Sequence, residues 1–304
     1  MRVVVTGASG FIGRYLTTAL LSEGHEVIAV LHQHDLPVHF KTDALRVVWG
    51  DSDNLAPIHD AILQADVVCH LAAYIPPNIR DFRYAERCVQ VNGLFALHIA
   101  RFAIEKQTRM IFLSSGQAYH YSEAPVLEDA PLYPAERSTY YLASKLLGEL
   151  YVEHLRRTRS LPVITLRLGC CYGPGMQKSV VSYFMQCASA GLPLTVFDNG
   201  TPTHDFVYVS DVVGVIMAAL ETGDPGVYNI GSGCASSILE LAQTVADIYS
   251  DRDVTIEIDP PYEGIPSSFP ALSIEKARKT WNYNPLLLRE GITKYREWME
   301  KTGI

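Results

Sequence analysis

The 304-residue chain has no excess of positive charge: 25 Lys and Arg stand against 33 Asp and Glu, a net charge of −8. That balance disfavours nucleic acid or an anionic membrane surface as the main partner, and an anionic ligand must then be held by local donors. No apolar run reaches the ~18 residues of a membrane span. "MRVVVTGASG" passes from one basic residue directly into a strand and a glycine turn, without the pattern of a signal peptide. The six cysteines (Cys69, Cys88, Cys170, Cys171, Cys187, Cys234) include no CxxC, and the ten histidines no HxxxH. Together these absences read as a cytoplasmic protein without a metal site, whose thiols pack in the core. The adjacent Cys170 and Cys171 end an apolar run and read as packing rather than redox chemistry.

What is present is an ordinary core composition, 48% hydrophobic and 19% charged. Residues 1–170 alternate short apolar runs with amphipathic segments, the pattern of βαβ units and a parallel sheet. Strands are expected at Val3–Thr6, Val27–Leu31, Val47–Trp49, Val67–Leu71, Met110–Ser114 and Val163–Leu168, with helical spacing over Arg14–Ser22 and Asn92–Ile104. Gly24 reads as a helix stop. Beyond Cys171–Gly175 the elements shorten and Pro, Gly and Thr increase. The expected organisation is a dinucleotide-binding domain over 1–170 and a mainly substrate-binding domain over 171–304. Phe206–Val212 and Gly226–Ser232 read as buried strands, so segments near 206–232 are expected to return to the first domain.

"VVVTGASGFIG" is a strand, then Gly7, Gly10 and Gly13, then a helix from about Phe11. Glycine there lets the backbone approach a pyrophosphate, and the helix N terminus offers free N–H groups and the positive end of its dipole. The spacing is GxxGxxG, not GxGxxG. The carboxylate that grips the adenosine ribose of NAD is expected at the end of the second strand, but "HEVIAVLHQHD" places Leu31 and His32 there. Arg14 and His32 can instead receive the extra phosphate of NADP, which favours NADP over NAD. The other reading leaves Arg14 solvated and His32 in a loop.

In "STYYLASK" (Ser138–Lys145) Tyr141 and Lys145 are four apart and share one helix face, whereas Tyr140 does not. A phenol is a poor base at neutral pH unless a neighbouring positive charge favours the phenolate. The pair suits proton exchange with an alcohol or ketone while hydride moves to or from a nicotinamide. "IFLSSGQAY" ends a strand at Ser114–Ser115, on the sheet edge where parallel sheets bind ligands. Ser115 is placed to fix the reacting oxygen, or to cap a turn.

With those residues in place, nearly the whole chain resembles the extended short-chain dehydrogenase/reductase family, also called NAD-dependent epimerase/dehydratases. "TGASGFIG" resembles the family's cofactor turn, "GDSDN" (Gly50–Asn54) its adenine-contacting aspartate turn and "HLAA" (His70–Ala73) its dinucleotide wall. "VNG" (Val91–Gly93) matches a structural asparagine, and "SSGQAY" and "YLASK" match the catalytic motifs. "LRLGCCYGPG", "HDFVYVSDV" and "VYNIGSG" resemble the substrate-domain signatures. The resemblance implies an α/β fold, a Rossmann-type doubly wound parallel sheet with a smaller C-terminal α/β substrate domain. It implies catalysis by Ser115, Tyr141 and Lys145. Cofactor contacts would come from Gly7, Ser9, Gly10, Phe11, Ile12, Gly13, Arg14, His32, Asp51, Leu71, Ala72, Ala73, Asn92, Tyr141 and Lys145. Substrate contacts would come from Ser115, Gln117, Cys170, Lys178 and His204. A homodimer through helices near Ala85–Ile104 and Tyr141–Arg157 is also implied.

Three departures bear on the substrate. Cys170 replaces the asparagine of the family's NVYGP, His204 replaces the arginine of RDF, and Tyr262–Ser273 lacks a further arginine. Guanidinium groups make bidentate bonds to phosphate that histidine does not reproduce, so Lys178, Arg278 or another cation takes over, or the substrate carries no diphosphate. Gly116 and Gln117 stand where dehydratases of this type carry Asp-Glu, which argues against a dehydratase. The expected activity is NAD(P)-dependent hydride transfer at a secondary alcohol or ketone of a nucleotide-linked sugar. A keto-sugar reductase leads, and a 4-epimerase with bound NAD is the alternative. Reduction of a non-sugar carbonyl and non-catalytic sensing of NADP(H) stay open.

Overall fold

The computed structural model describes residues 1–36, 42–136, 139–259 and 268–303. Ser138, Tyr262 and the first part of the arginine-lacking stretch fall outside them. The first half runs β1 (Arg2–Thr6), α1 (Phe11–Ser22), β2 (Glu26–Leu31), β3 (Leu45–Trp49), α2 (Ala56–Leu63) and β4 (Val67–His70). It continues with α3 (Ala85–Cys88), a π-helical stretch at Val89–Leu94, α4 (Phe95–Lys106), β5 (Arg109–Ser115), α5 (Thr139–Arg159) and β6 (Val163–Leu168). Then follow β7 (Cys170–Tyr172), α6 (Val180–Ser189), β8 (Leu194–Val196), β9 (Thr203–Tyr208), α7 (Val209–Glu221) and β10 (Gly226–Ile230). The chain closes with β11 (Ala235–Ser237), α8 (Ile238–Ile248), β12 (Ile256–Ile258), α9 (Glu275–Trp281) and α10 (Leu288–Thr302).

A seven-stranded sheet is ordered β10-β6-β5-β4-β1-β2-β3, with every pairing parallel. The order reverses between β1 and β4, which opens a crevice at the carboxyl edge. Alternate residues of each strand serve the two faces. Val3, Val5, Val27 and Ala29 pack with α1 and α7, while Val4, Ile28, Val30 and Val68 pack with α2 and α4. On α1 the buried positions Gly13, Leu16, Thr17 and Leu20 make a helical stripe facing the sheet. Gly24 follows its end at φ +76°, a left-handed conformation that suits glycine.

Two expectations are corrected. The strand read over Phe206–Val212 ends at Tyr208, because Val209, Val212, Val213 and Ile216 are buried at helical spacing and open α7. Moreover β9 lies in a separate three-stranded sheet, β11-β9-β7, and not in the central one. What returns to the first layer is α7, which packs on α1, and β10, which pairs with β6. The helix expected over Asn92–Ile104 belongs to a helical run that begins at Ala85 and passes through the π-helical stretch. A second core of Tyr172, Phe184, Met185, Phe206, Leu241, Val245 and Ile292 joins β7, β9, α6, α8 and α10. Among the described residues no helix is long and apolar enough to cross a membrane.

Candidate active site

A cavity of about 970 Å³ runs along the carboxyl edge of the central sheet. At one end are His32, Gln33 and His34 after β2 and Gly50–Ser52 after β3. The glycine turn and Leu71–Ile75 after β4 form the middle. At the other end are Ser114, Ser115, Gln117, Tyr141 and Lys145, with Leu168–Cys171, Met176, His204 and Phe269 also on the wall.

The glycine turn is shaped by close approach. Gly7 adopts φ +70°, and a Cβ there would meet Ala72 N at 2.8 Å; one on Gly13 would lie 2.1 Å from Gly7 O. Side chains at these points would collide with the backbone of the turn and of the loop after β4. Helix α1 starts at Gly10 without a side-chain cap, which leaves its first-turn N–H groups for an anion. Thr6 staples the two flanking strand ends: its Oγ1 lies 2.7 Å from His70 Nδ1 and accepts from Ala72 N at 3.3 Å. These features fit a dinucleotide, with the pyrophosphate at the turn.

Helix α5 carries Tyr141 and Lys145, and close packing fixes its position. A Cβ on Gly148 would stand 2.3 Å from Asn92 O, so α5 lies directly on the π-helical stretch. Asn92 is buried; its Nδ2 donates to Tyr74 O and to Ser144 Oγ, both at 2.9 Å, and its Oδ1 accepts from Tyr74 N at 2.7 Å. It ties the loop after β4 to α5 and is not on the cavity wall. Lys145 Nζ donates to Leu113 O at 2.6 Å. Burial lowers its pKa to about 8 against the opposing pull of Glu149, so it remains largely cationic at neutral pH. Tyr141 is partly exposed to the cavity; burial raises its pKa to about 12, and Cys88 adds to the rise. The net shift is upward: burial outweighs the lowering by the neighbouring Lys145 ammonium that the sequence suggests. Ser115 caps the turn, its Oγ accepting from Gln117 N at 3.2 Å, and it lines the cavity.

The remaining expected contacts divide. Gly7, Ser9, Gly10, Phe11, Ile12, Gly13, His32, Asp51, Leu71, Ala72 and Ala73 line the cavity, as do Gln117, Cys170 and His204. Arg14 does not; its Nη2 donates to Gly175 O at 3.3 Å. Lys178 is exposed away from the wall, and Arg278 pairs with Glu275 at 2.6 Å on α9. Burial raises the thiol pKa values of Cys170, to about 12, and of Cys171, which keeps both protonated.

Several participants were not singled out from sequence. Arg80 and Arg87 line the cavity, the latter donating to Asp53 Oδ2 at 3.0 Å. Behind α5, Arg167 and Glu149 form a buried pair, Nε to Oε1 2.9 Å. Arg167 also donates to Tyr119 Oη, which donates to Asn229 Oδ1 at 2.8 Å. Glu149 shares the i, i+4 face of Tyr141 and Lys145, the one sequence signal that could have pointed to this network.

A family model described as the NAD dependent epimerase/dehydratase family matches residues 3–231. The chain is 30% identical to UDP-glucose 4-epimerase of Mycolicibacterium smegmatis, over 97% of this chain and 97% of that one. It is 28% identical to UDP-glucuronic acid decarboxylase 1 of Arabidopsis thaliana, over 97% of this chain and 68% of the relative. The solved UDP-glucuronic acid 4-epimerase of Bacillus cereus, in complex with UDP-glucuronic acid and NAD, superposes with a TM-score of 0.85. It is 25% identical and covers 99% of this chain and all of that one. The chain therefore belongs to the NAD-dependent epimerase/dehydratase family, the extended short-chain dehydrogenases/reductases.

Proposed function

We propose that the protein is an NAD-dependent epimerase that inverts a secondary alcohol on a nucleotide-linked sugar. The observation that carries this reading is the convergence of Tyr141, Lys145 and Ser115 on one end of a cavity whose middle is the glycine turn. The relatives support epimerisation at least as well as the reductase that the sequence put first, because epimerases and decarboxylases bearing UDP-sugar names align along nearly the whole chain. The presence of decarboxylases among them gives no support to the argument against a dehydratase, which rests on Gly116 and Gln117 alone. NAD is preferred here to NADP. Arg14, half the case for NADP, is engaged with Gly175 O, and His32, the other half, lies 2.5 Å from Asp51.

The chain's own residues supply the proton chemistry. Tyr141 accepts the hydroxyl proton as the carbon is oxidised and returns it when the carbon is reduced from the other face. A bound nicotinamide supplies the hydride acceptor and donor and, when oxidised, a positive charge that favours the phenolate. Ser115 Oγ is already engaged as acceptor by Gln117 N, so its O–H proton is available to the reacting oxygen. Lys145 spends one N–H on Leu113 O and keeps two for cofactor hydroxyls. Arg80, on the exposed rim, is the cation that stands in for the arginine replaced by His204.

The test is the dinucleotide released when purified protein is denatured. Retained NAD in near-stoichiometric amount supports an epimerase that recycles its cofactor. Protein that purifies without dinucleotide and turns over only with added NADPH overturns this reading in favour of the reductase.

A further inference from the structure

We infer that Asp51, held by His32, takes the place of the ribose-binding carboxylate absent from the end of β2 and makes the site select NAD by excluding a 2′-phosphate. The inference rests on the cavity holding a nicotinamide dinucleotide, as proposed above.

Strands β2 and β3 are neighbours in register, Leu31 opposite Trp49, and Gly50 N donates to Leu31 O at 3.0 Å. The residues that follow each strand, His32 and Asp51, therefore emerge side by side at the cavity's end. Asp51 is fixed through both oxygens. Its Oδ1 accepts from Asp53 N at 2.7 Å and Asn54 N at 2.9 Å, and its Oδ2 lies 2.5 Å from His32 Nδ1. Each carboxylate oxygen has two acceptor positions, so Oδ2 retains one for a ribose hydroxyl. The missing acid is thus delivered from the adjacent strand.

The charges around this end agree with exclusion of a phosphate. A phosphate monoester carries nearly two negative charges at neutral pH and is repelled by a fixed carboxylate. Arg14 donates to Gly175 O and is not on the wall. Arg87 is the guanidinium near this end, and its Nη1 is shared by Asp53, Ser52 and Gln90, with the Asp53 carboxylate offsetting its charge. His34 lines the wall as well, but no cation free of a carboxylate is placed beside Asp51 among the described residues. His32 orients Asp51 through Nδ1, which leaves only Nε2 of that ring to face a ligand, beside a fixed negative charge.

The inference is tested by titrating purified protein, stripped of bound dinucleotide, with NADH and with NADPH and following the dinucleotide's fluorescence. The wild type is expected to bind NADH at least about tenfold more tightly, roughly 1.4 kcal/mol. Asp51→Asn keeps the Oδ1 acceptor of the turn and removes the charge, so it should narrow the NADH-to-NADPH ratio by about tenfold or more. Adding His32→Arg to that variant should invert the ratio, whereas His32→Arg alone should change it little, because Asp51 then neutralises the new guanidinium. The ratio does not respond to a general loosening of the fold. A wild type that prefers NADPH, an Asp51→Asn ratio that stays put, or inversion by His32→Arg alone overturns the inference. Protein that binds neither dinucleotide removes the dinucleotide reading, and this inference with it.

Discussion

Lys145 Nζ donates to the backbone oxygen of Leu113 at 2.6 Å and lies 4.8 Å from the centroid of the Phe112 ring, so β5 holds an ammonium one helical turn from Tyr141, the proposed base. Tyr141 carries a pKa of about 12 from burial, and Lys145 one of about 8. A base works only when deprotonated, so alcohol oxidation should accelerate with rising pH and lose that gain once Lys145 discharges above about 8. Lys145→Met should move the rising limb to higher pH and slow turnover at neutral pH by about 10²–10³-fold. A pH–rate profile of the variant checks this; an unmoved limb contradicts it.

Arg80→Ala should raise KM for a nucleotide sugar by about tenfold or more with kcat nearly unchanged, because it removes a charge-assisted contact made equally in the ground and transition states. Steady-state kinetics separate the two constants. A fall in kcat alone would place Arg80 elsewhere in the mechanism.

The buried pair behind α5 concerns stability. Glu149→Leu leaves Arg167 without its carboxylate partner among buried groups, a loss of about 3–5 kcal/mol. Urea unfolding at neutral pH measures it, and a loss under about 1 kcal/mol would show that the pair is dispensable.

His70 makes acid stability a second test of the site's floor. Its ring stacks on Phe112 and meets Phe95 edge-on, and burial, with Lys145 adding to it, depresses its pKa to about 3. Between about pH 6.5 and 3 the unfolded state therefore binds a proton that the folded state refuses. Stability falls as pH drops through that window, by up to ~1.4 kcal/mol per pH unit. His70→Asn should start less stable at pH 7 and lose less on acidification. Equal slopes for variant and wild type in urea titrations across the window would contradict this.

The sequence made much of this arrangement legible because the signals are local. The seven strands of the central sheet, the glycine turn and the Tyr141–Lys145 spacing depend on periods of two, three and four residues. What it did not disclose depends on neighbours distant along the chain. Asp51 meets His32 only because β3 pairs with β2, and Asn92 reaches Ser144 only because α5 crosses the π-helical stretch at Gly148. The end of β9 was misread for another reason. "FVYVSDV" is apolar at both strand and helix spacing until the burial of Val213 and Ile216 shows which period continues.

The proposed removal of hydride from a sugar carbon and its return to the other face, with Tyr141 holding the proton, makes one direct measurement decisive. Protein with its retained dinucleotide, and no other cofactor added, is incubated in deuterated water with UDP-glucose or UDP-glucuronic acid and followed by proton NMR. The C4 epimer with its carbon-bound hydrogen intact is expected in the wild type, and at least about 10²-fold less of it in Tyr141→Phe. Deuterium at the inverted carbon, or full turnover by Tyr141→Phe, would contradict it.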